Sequence, residues 1–409
     1  MIFYDKPKRC SMYITEQYHL YRLAYQLVFN DEYEVLHMND QTGELWLEKY
    51  DRKSSKIIRI IHRGFDWKNQ LKTDIAHVFQ RVKSLKKYFT NKHVDIYNVY
   101  ITSYEPVDDW EGLKKPIVLN DKKLFRMKVF YLSKENFEEE KTRLLEQIGA
   151  TKNGTDEVPI FELENEIERY KQNLYHSFKS RQEKIKNVFT FGKPRFSYLL
   201  IIINIFIFIA LEFTGGSTNV EHLVEFGAKF NPAIISGEWW RIITSMFLHI
   251  GMFHLFMNML ALYYLGTAVE SIYGSSRFLI IYFLSGIGGG LTSFAFNFHV
   301  AAGASGALFG LFGALLYFGT VEKRLFRQTM GRNLILILMI NIIFGFMIPQ
   351  IDMGAHLGGL IAGFIASGIT SVPKHRLIKR QIIYFILYTL ITIFLIWYGI
   401  LVNLHFLYM

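Results

Sequence analysis

From Phe196 onward the chain carries seven apolar runs, at about 196–214, 247–268, 277–298, 302–320, 333–349, 354–372 and 382–405. Each is near the roughly 20 residues that an α-helix needs to cross about 30 Å of hydrocarbon. Inside hydrocarbon every backbone N–H and C=O must be satisfied within the chain, so such runs fold as helices. No repeat of the inverted-transporter kind relates them. A polytopic α-helical membrane region is therefore expected over the second half.

The charges divide the chain at the same place. Residues 1–195 hold 35 Lys and Arg against 29 Asp and Glu, and the remainder holds 11 against 7. The first part reads as a soluble mixed α/β domain. "SMYITEQYHLYRLAYQLVFN" and "DWKNQLKTDIAHVFQRVKSLKKYF" have helical periodicity. "YEVLHM", "GELWLEKY", "KIIRIIHR", "VDIYNVYIT" and "KLFRMKVFYL" read as strands, the first three separated by turn-like "NDQTGE" and "DRKSS". The charged stretch 161–190 reads as a solvated helix leading into the membrane. Four parts are expected: a cytosolic domain over 1–160, a helical linker over 161–195, a helical core over 196–372, and a basic loop with a seventh span over 373–409. No metal-spaced Cys/His cluster and no glycine-rich phosphate loop occurs in the first part, so no cofactor or metal is expected. The single cysteine, Cys10, excludes an internal disulfide. The basic excess fits anionic lipid better than nucleic acid, because no long basic block stands apart.

Direction follows from the positive-inside rule. Lys193 and Arg195 precede the first run; Lys323, Arg324, Arg327 and Arg332 lie between the fourth and fifth; Lys374, Arg376, Lys379 and Arg380 lie between the sixth and seventh. All fall on one side if the N-terminus is cytosolic. "MIFYDKPKRC" lacks the features of a secretory signal, which agrees. Residues 215–246 and the C-terminus are then external, in a cell membrane.

Polar groups at membrane depth are costly and mark function by default. His254 and Asn258 lie in the second run, Ser305 in the fourth and His356 in the sixth. The second, fourth and sixth runs all enter from outside, so the four residues share one outer layer. Acyl transfer needs such a set. A serine hydroxyl is a weak nucleophile until a base takes its proton, and a histidine does this near neutral pH. A tetrahedral oxyanion needs aimed donors, which the Asn258 amide, a His254 ring N–H and the Ser305 backbone N–H offer. Gly303 and Gly306 clear the space around Ser305. Asp352, in the preceding loop, is the nearest carboxylate to His356. A Ser–His dyad is therefore expected rather than a triad, with Phe309 as a ring on which His356 packs. Each string also has a plainer reading. "GASGALFG" and "AHLGGLIAGF" are small-xxx-small patterns that let helices approach, and Gly359 and Gly363 read as such packing positions. Trp239, Trp240 and Arg241 read most simply as interfacial anchors.

Over roughly 196–372 the chain resembles the rhomboid family of intramembrane serine proteases. The resemblance rests on "EWWRIITSMFLHIGMFHLFMNML", "GASGALFG" and "AHLGGLIAGF", in that order. Trp240–Arg241 matches the family's Trp-Arg pair, His254 and Asn258 its His-x-x-x-Asn, and Gly303, Ser305 and Gly306 its Gly-x-Ser-Gly. His356, Gly359 and Gly363 match its Ala-His-x-x-Gly-x-x-x-Gly. The resemblance implies a six-helix core with a water-filled cavity open to the outside. Ser305 would be nucleophile and His356 general base, with Asn258 and His254 as oxyanion donors. Substrates would be single- or multi-span membrane proteins cut near the outer end of a transmembrane helix. Phe309 stands where some members have Tyr. The seventh run resembles the extended six-plus-one form. The N-terminal domain lies outside the shared core and is expected to recruit substrate or bind a regulatory partner. Two rivals use the same residues: a silent relative that binds membrane clients, and an ion or solute pathway. Keeping both Ser305 and His356 argues against the first, and the outer position of the polar set against the second.

Overall fold

The computed structural model describes residues 6–50, 54–84, 93–121, 123–151, 159–348, 351–375 and 377–407. The Cys10 side chain, and part of the turn expected at 51–55, lie outside them. The chain forms two compact units, 1–184 and 185–409.

The first unit is a sheet covered by helices on both faces. Its elements run α1 (Lys6–Phe29), β1 (Glu34–Asn39), β2 (Glu44–Tyr50), β3 (Ser54–His62), α2 (Lys68–Ser84), β4 (His93–Ile101), β5 (Ile117–Asp121), β6 (Lys123–Leu132), α3 (Phe137–Ile148) and α4 (Leu163–Phe189). The spatial order is β1-β2-β3-β4-β6-β5. β3, β4 and β6 are parallel, and the remaining pairs are antiparallel. A parallel pair needs a crossover, and α2 supplies it between β3 and β4. Alternation along β3 fills both layers. Ile57 and Ile61 meet Leu71 and Ile75 of α2, while Ile58 and Ile60 meet Leu20 and Leu27 of α1 and Leu144 of α3. Arg59 is buried on the α2 side, where it donates to Glu44 (2.6 Å), Asp74 (2.8 Å) and Asn98 (3.0 Å). Buried charge is tolerated when paired in this way.

The five strands read from sequence are present, and β5 and α3 are additional. The charged helix departs from its expected solvation. α4 buries Leu163, Ile167, Tyr170 and Leu174 in the first unit's core, a stripe at helical spacing beneath a charged exterior.

The second unit is helical. After α5 (Phe196–Thr214) come three short helices, α6 (Val220–Glu225), α7 (Asn231–Ile235) and α8 (Arg241–Thr244). α9 (Met252–Ala261) passes through a π turn into α10 (Thr267–Tyr273). Then follow α11 (Ser275–Phe296), α12 (Ser305–Val321), α13 (Lys323–Thr329), α14 (Gly331–Met347), α15 (Met353–Thr370) and α16 (Ile378–Leu407).

Seven runs were expected to span. Among the described residues five segments are long and apolar enough: α5, α9 with α10, α11, α15 and α16. α13 and α14 qualify only as a pair bent by 73°, and α12 is shorter, at 17 residues. Seventeen residues rise about 25 Å, short of the hydrocarbon width. α12 is instead lined by protein, since every residue from Gly306 to Leu315 is buried. The second run also begins later than its hydropathy suggests. Ser245–Phe247 form a 3-10 turn and Gly251 adopts φ +75°, so the helix starts at Met252.

α11, α12 and α15 meet backbone to backbone through glycine. A Cβ on Gly359 would stand 2.0 Å from the Gly306 carbonyl oxygen, and one on Gly363 would stand 2.1 Å from that of Gly310. One on Gly289 of α11 would stand 2.7 Å from the Ala355 oxygen and 3.2 Å from the Gly306 Cα. Both faces are backbone, so neither can give way. Gly363→Val should therefore cost about 1–3 kcal/mol or more by overpacking. The measurement is thermal unfolding in detergent: the midpoint falls by several degrees, while Gly112→Ala, whose Cβ meets nothing within 4 Å, leaves it unchanged.

Candidate active site

The four polar residues of the apolar half stand at the N-terminal ends of three helices. Ser305 is the first residue of α12, His356 lies in the first turn of α15, and His254 and Asn258 occupy the first two turns of α9. Helix N-termini present unsatisfied N–H groups and a positive partial charge.

The approach to Ser305 is built from the segment between α5 and α9. Lys229 and Ala301 exchange backbone hydrogen bonds of 2.9 and 3.0 Å, forming an isolated antiparallel bridge. Gly303 N then donates to Ser245 O at 2.9 Å. Gly303 has φ +139°, a region that L side chains rarely adopt. A Cβ there would stand 2.7 Å from His254 Cε1, 2.9 Å from His254 Nε2 and 3.9 Å from Asn258 Nδ2. Gly303 is thus required twice, for its backbone and for the room it leaves. The same contacts bring His254 and Asn258 to the turn that begins with Ser305. Asn258 Nδ2 donates to His254 O at 3.0 Å. His249 is fully buried, with its ring 5.4 Å from that of His254.

The glycine contacts set α15 against α12, and His356 lies one turn from Gly359. Its ring stacks on Phe309 at 4.1 Å with 14° between planes, as expected from the sequence. Stacking leaves the imidazole nitrogens free of the interaction that holds the ring. His356 Nδ1 is buried and has no hydrogen-bond partner among the described residues. No hydrogen bond between Ser305 and His356 occurs among them either. Such bonds are often long before substrate arrives.

Asp352 accepts no hydrogen bond from the imidazole among the described residues. It caps α15, accepting from Ala355 N (2.9 Å), and its other oxygen accepts from Ser293 Oγ and Asn297 Nδ2 (2.7 Å). Among the described residues no other carboxylate bonds to the His356 ring either. Lys229, Ser245, Ser293, Asp352 and Gly303 line a cavity beside Ser305, with about 50 Å³ of room for water centres. One water needs roughly 10–15 Å³, so the cavity has room for a few.

Arg241 departs from the reading as an interfacial anchor. It is buried, pairs with Glu238 (2.6 Å), and donates to the carbonyls of Val224 (2.5 Å) and Ala228 (3.2 Å). It therefore holds the segment between α5 and α9 together. Trp240 is half exposed and packs over Gly227 and the Arg241 guanidinium (4.8 Å to the ring centre). The sequence reading assigned no role to Lys229, Ser293 or Asn297. An Asp just before the sixth run was the available signal for a helix cap.

Comparison with known proteins bears on the whole chain. The Rhomboid domain family model matches residues 236–373. Rhomboid protease GluP of Bacillus subtilis (strain 168) is 36% identical over 394 residues, which cover 95% of this chain and 75% of that protein. Putative rhomboid protease YdcA of the same organism is 36% identical over 149 residues, 36% of this chain and 75% of that protein. RHOMBOID-like protein 5 of Arabidopsis thaliana is 38% identical over 151 residues, 36% of this chain and 48% of that protein. The motifs, the helical core and these likenesses agree: the chain belongs to the rhomboid family.

Proposed function

We propose that this chain is an intramembrane serine endopeptidase that cuts transmembrane helices near their extracytoplasmic end through a Ser305–His356 dyad. The observation that carries the reading is the meeting of three helix N-termini. They bring His254 and Asn258 against Gly303, beside Ser305, while His356 rests on Phe309 across a glycine contact. The curated relatives named rhomboid proteases support the same class of reaction.

In this mechanism His356 accepts the Ser305 hydroxyl proton as Oγ adds to the scissile carbonyl. The oxyanion forms at the start of α12, where Asn258 Nδ2, a His254 ring N–H and the Ser305 backbone N–H donate to it. His356 returns the proton to the leaving amine, and the C–N bond breaks to give an acyl-serine ester. A water from the cavity, deprotonated by His356, adds to the ester. Expulsion of Ser305 Oγ, which takes the proton back, completes hydrolysis. The N-terminus lies in the cytosol, all seven apolar segments lie in the bilayer, and residues 215–246 lie outside, so the dyad faces the extracytoplasmic side. No metal or cofactor enters these steps, and the first unit, which recognises no nucleic acid, recruits substrate or a regulatory partner.

Cleavage of a single-span substrate in reconstituted bilayers tests the dyad. Wild type cuts, and Ser305→Ala and His356→Ala each lose about 10³-fold or more. Equal cutting by all three places the activity elsewhere. Substrate binding without cleavage by wild type favours a client-binding scaffold.

A regular helix hides its peptide bonds in its own hydrogen bonds, and freed groups must be satisfied in the cavity. Gly or Pro near the scissile bond should therefore raise the rate. Matched substrates, one of them a uniform poly-Leu helix, measure this, and equal rates would count against the unwinding step. Deleting residues 1–184 should slow cleavage of at least some substrates. A truncated enzyme that cuts a substrate panel at wild-type rates removes the recruiting role from the first unit.

A further inference from the structure

We propose that Asp352 is a positioning residue for the proteolytic reaction, holding the His356 helix in register with the chain that leads into Ser305. The inference rests on the Ser305–His356 reading above.

The carboxylate has three partners, and all three are donors: Ala355 N to Oδ1, and Ser293 Oγ and Asn297 Nδ2 to Oδ2. An ionised carboxylate only accepts, so it satisfies all three at once, which a carboxamide cannot do. The bonds run in two directions. Ala355 N, together with His356 N donating to the Asp352 carbonyl at 3.1 Å, fixes the first turn of α15 to this residue. Ser293 and Asn297 stand one turn apart at the end of α11, where Asn297 N donates to Ser293 O at 2.7 Å. Asp352 thus pins the helix that carries His356 to the end of α11.

Asn297 continues the connection toward Ser305. Its carbonyl accepts Lys229 Nζ at 2.5 Å and Asn231 Nδ2 at 3.1 Å. Lys229 is bridged to Ala301, which precedes Gly303 and Ser305. The two members of the dyad sit on different helices, yet both are referenced to Asn297. Asp352 makes no hydrogen bond to the ring among the described residues: both of its oxygens are engaged in this frame, and His356 Nδ1 has no partner there. A displacement of about 1 Å between reacting groups costs about 10²-fold in rate.

The test compares Asp352→Asn, Asn297→Asp and the double variant Asp352→Asn/Asn297→Asp in the bilayer cleavage assay, with Ser305→Ala as the inactive control. Asp352→Asn keeps the cap on Ala355 but turns an N–H₂ toward the Asn297 donor. Asn297→Asp sets two carboxylates face to face. Each single variant should lose about 10- to 100-fold in kcat, with KM within about 2-fold of wild type. The double variant restores a donor facing an acceptor: Asn at 352 donates to Asp at 297, which still accepts from His299 N. It should recover kcat to within about 3-fold of wild type, a rescue that general destabilisation does not give. Wild-type kcat in Asp352→Asn, or a double variant no better than the worse single, overturns the role of Asp352 while wild-type cleavage leaves the dyad standing. Failure of wild type itself to cut overturns the dyad reading and this proposal with it.

Discussion

The Gly306 and Gly310 carbonyls of α12 occupy the space where side chains at 359 and 363 of α15 would begin. Everything at the site depends on that contact. Between helices in lipid there is no hydrophobic force of the kind that holds a soluble core, so close backbone approach supplies the attraction. The approach also sets a distance. Phe309 reaches His356 at stacking range because nothing but backbone separates the turns beneath them. α11 closes the third side through Gly289, which meets both Ala355 and Gly306. Three helices held this tightly leave little freedom for the residues at their ends, which suits chemistry that tolerates small positional error.

The N-terminal ends of α9, α12 and α15 meet, so the positive ends of three backbone dipoles converge where an oxyanion would form. A reaction that gathers negative charge at that point is favoured before any side chain is counted. The arrangement also explains the loops. Each helix must start with a sharp reversal, and Gly251 and Gly303 at positive φ, with the Asp352 cap, supply the reversals.

The sequence made part of this legible. Ser305, His356, His254 and Asn258 stand out because polar groups are rare in apolar runs, and in the structure they lie in the first turns of three helices. The Phe309–His356 stack followed from spacing and aromatic character. Arg241 was misread because its partners are main-chain carbonyls of Val224 and Ala228, which carry no sequence signal. The buried amide pair Asn231–Asn403 links α7 to α16 across 172 positions, beyond any local pattern. In α4 the apolar stripe was visible, but the charge around it dominated the reading. Hydropathy placed the second run five residues early because Phe247 and Leu248 are apolar yet lie in a turn that precedes the helix.

Lys229 shows how charge is arranged where water is scarce. Its side chain is 1% exposed, and its ammonium donates to the Asn297 and His299 carbonyls. In the proposed mechanism a single buried cation on the wall beside Ser305 would oppose an imidazolium on His356. Asp352 lines the same cavity with the opposite sign. The wall is therefore neutral as a whole, and Asn297 bonds to both charges. The field at Ser305 is then nearer to that of a dipole than of a net charge, and it falls off faster with distance. Such a wall would leave room for water in the second half of the proposed reaction without opposing the proton transfer proposed for the first.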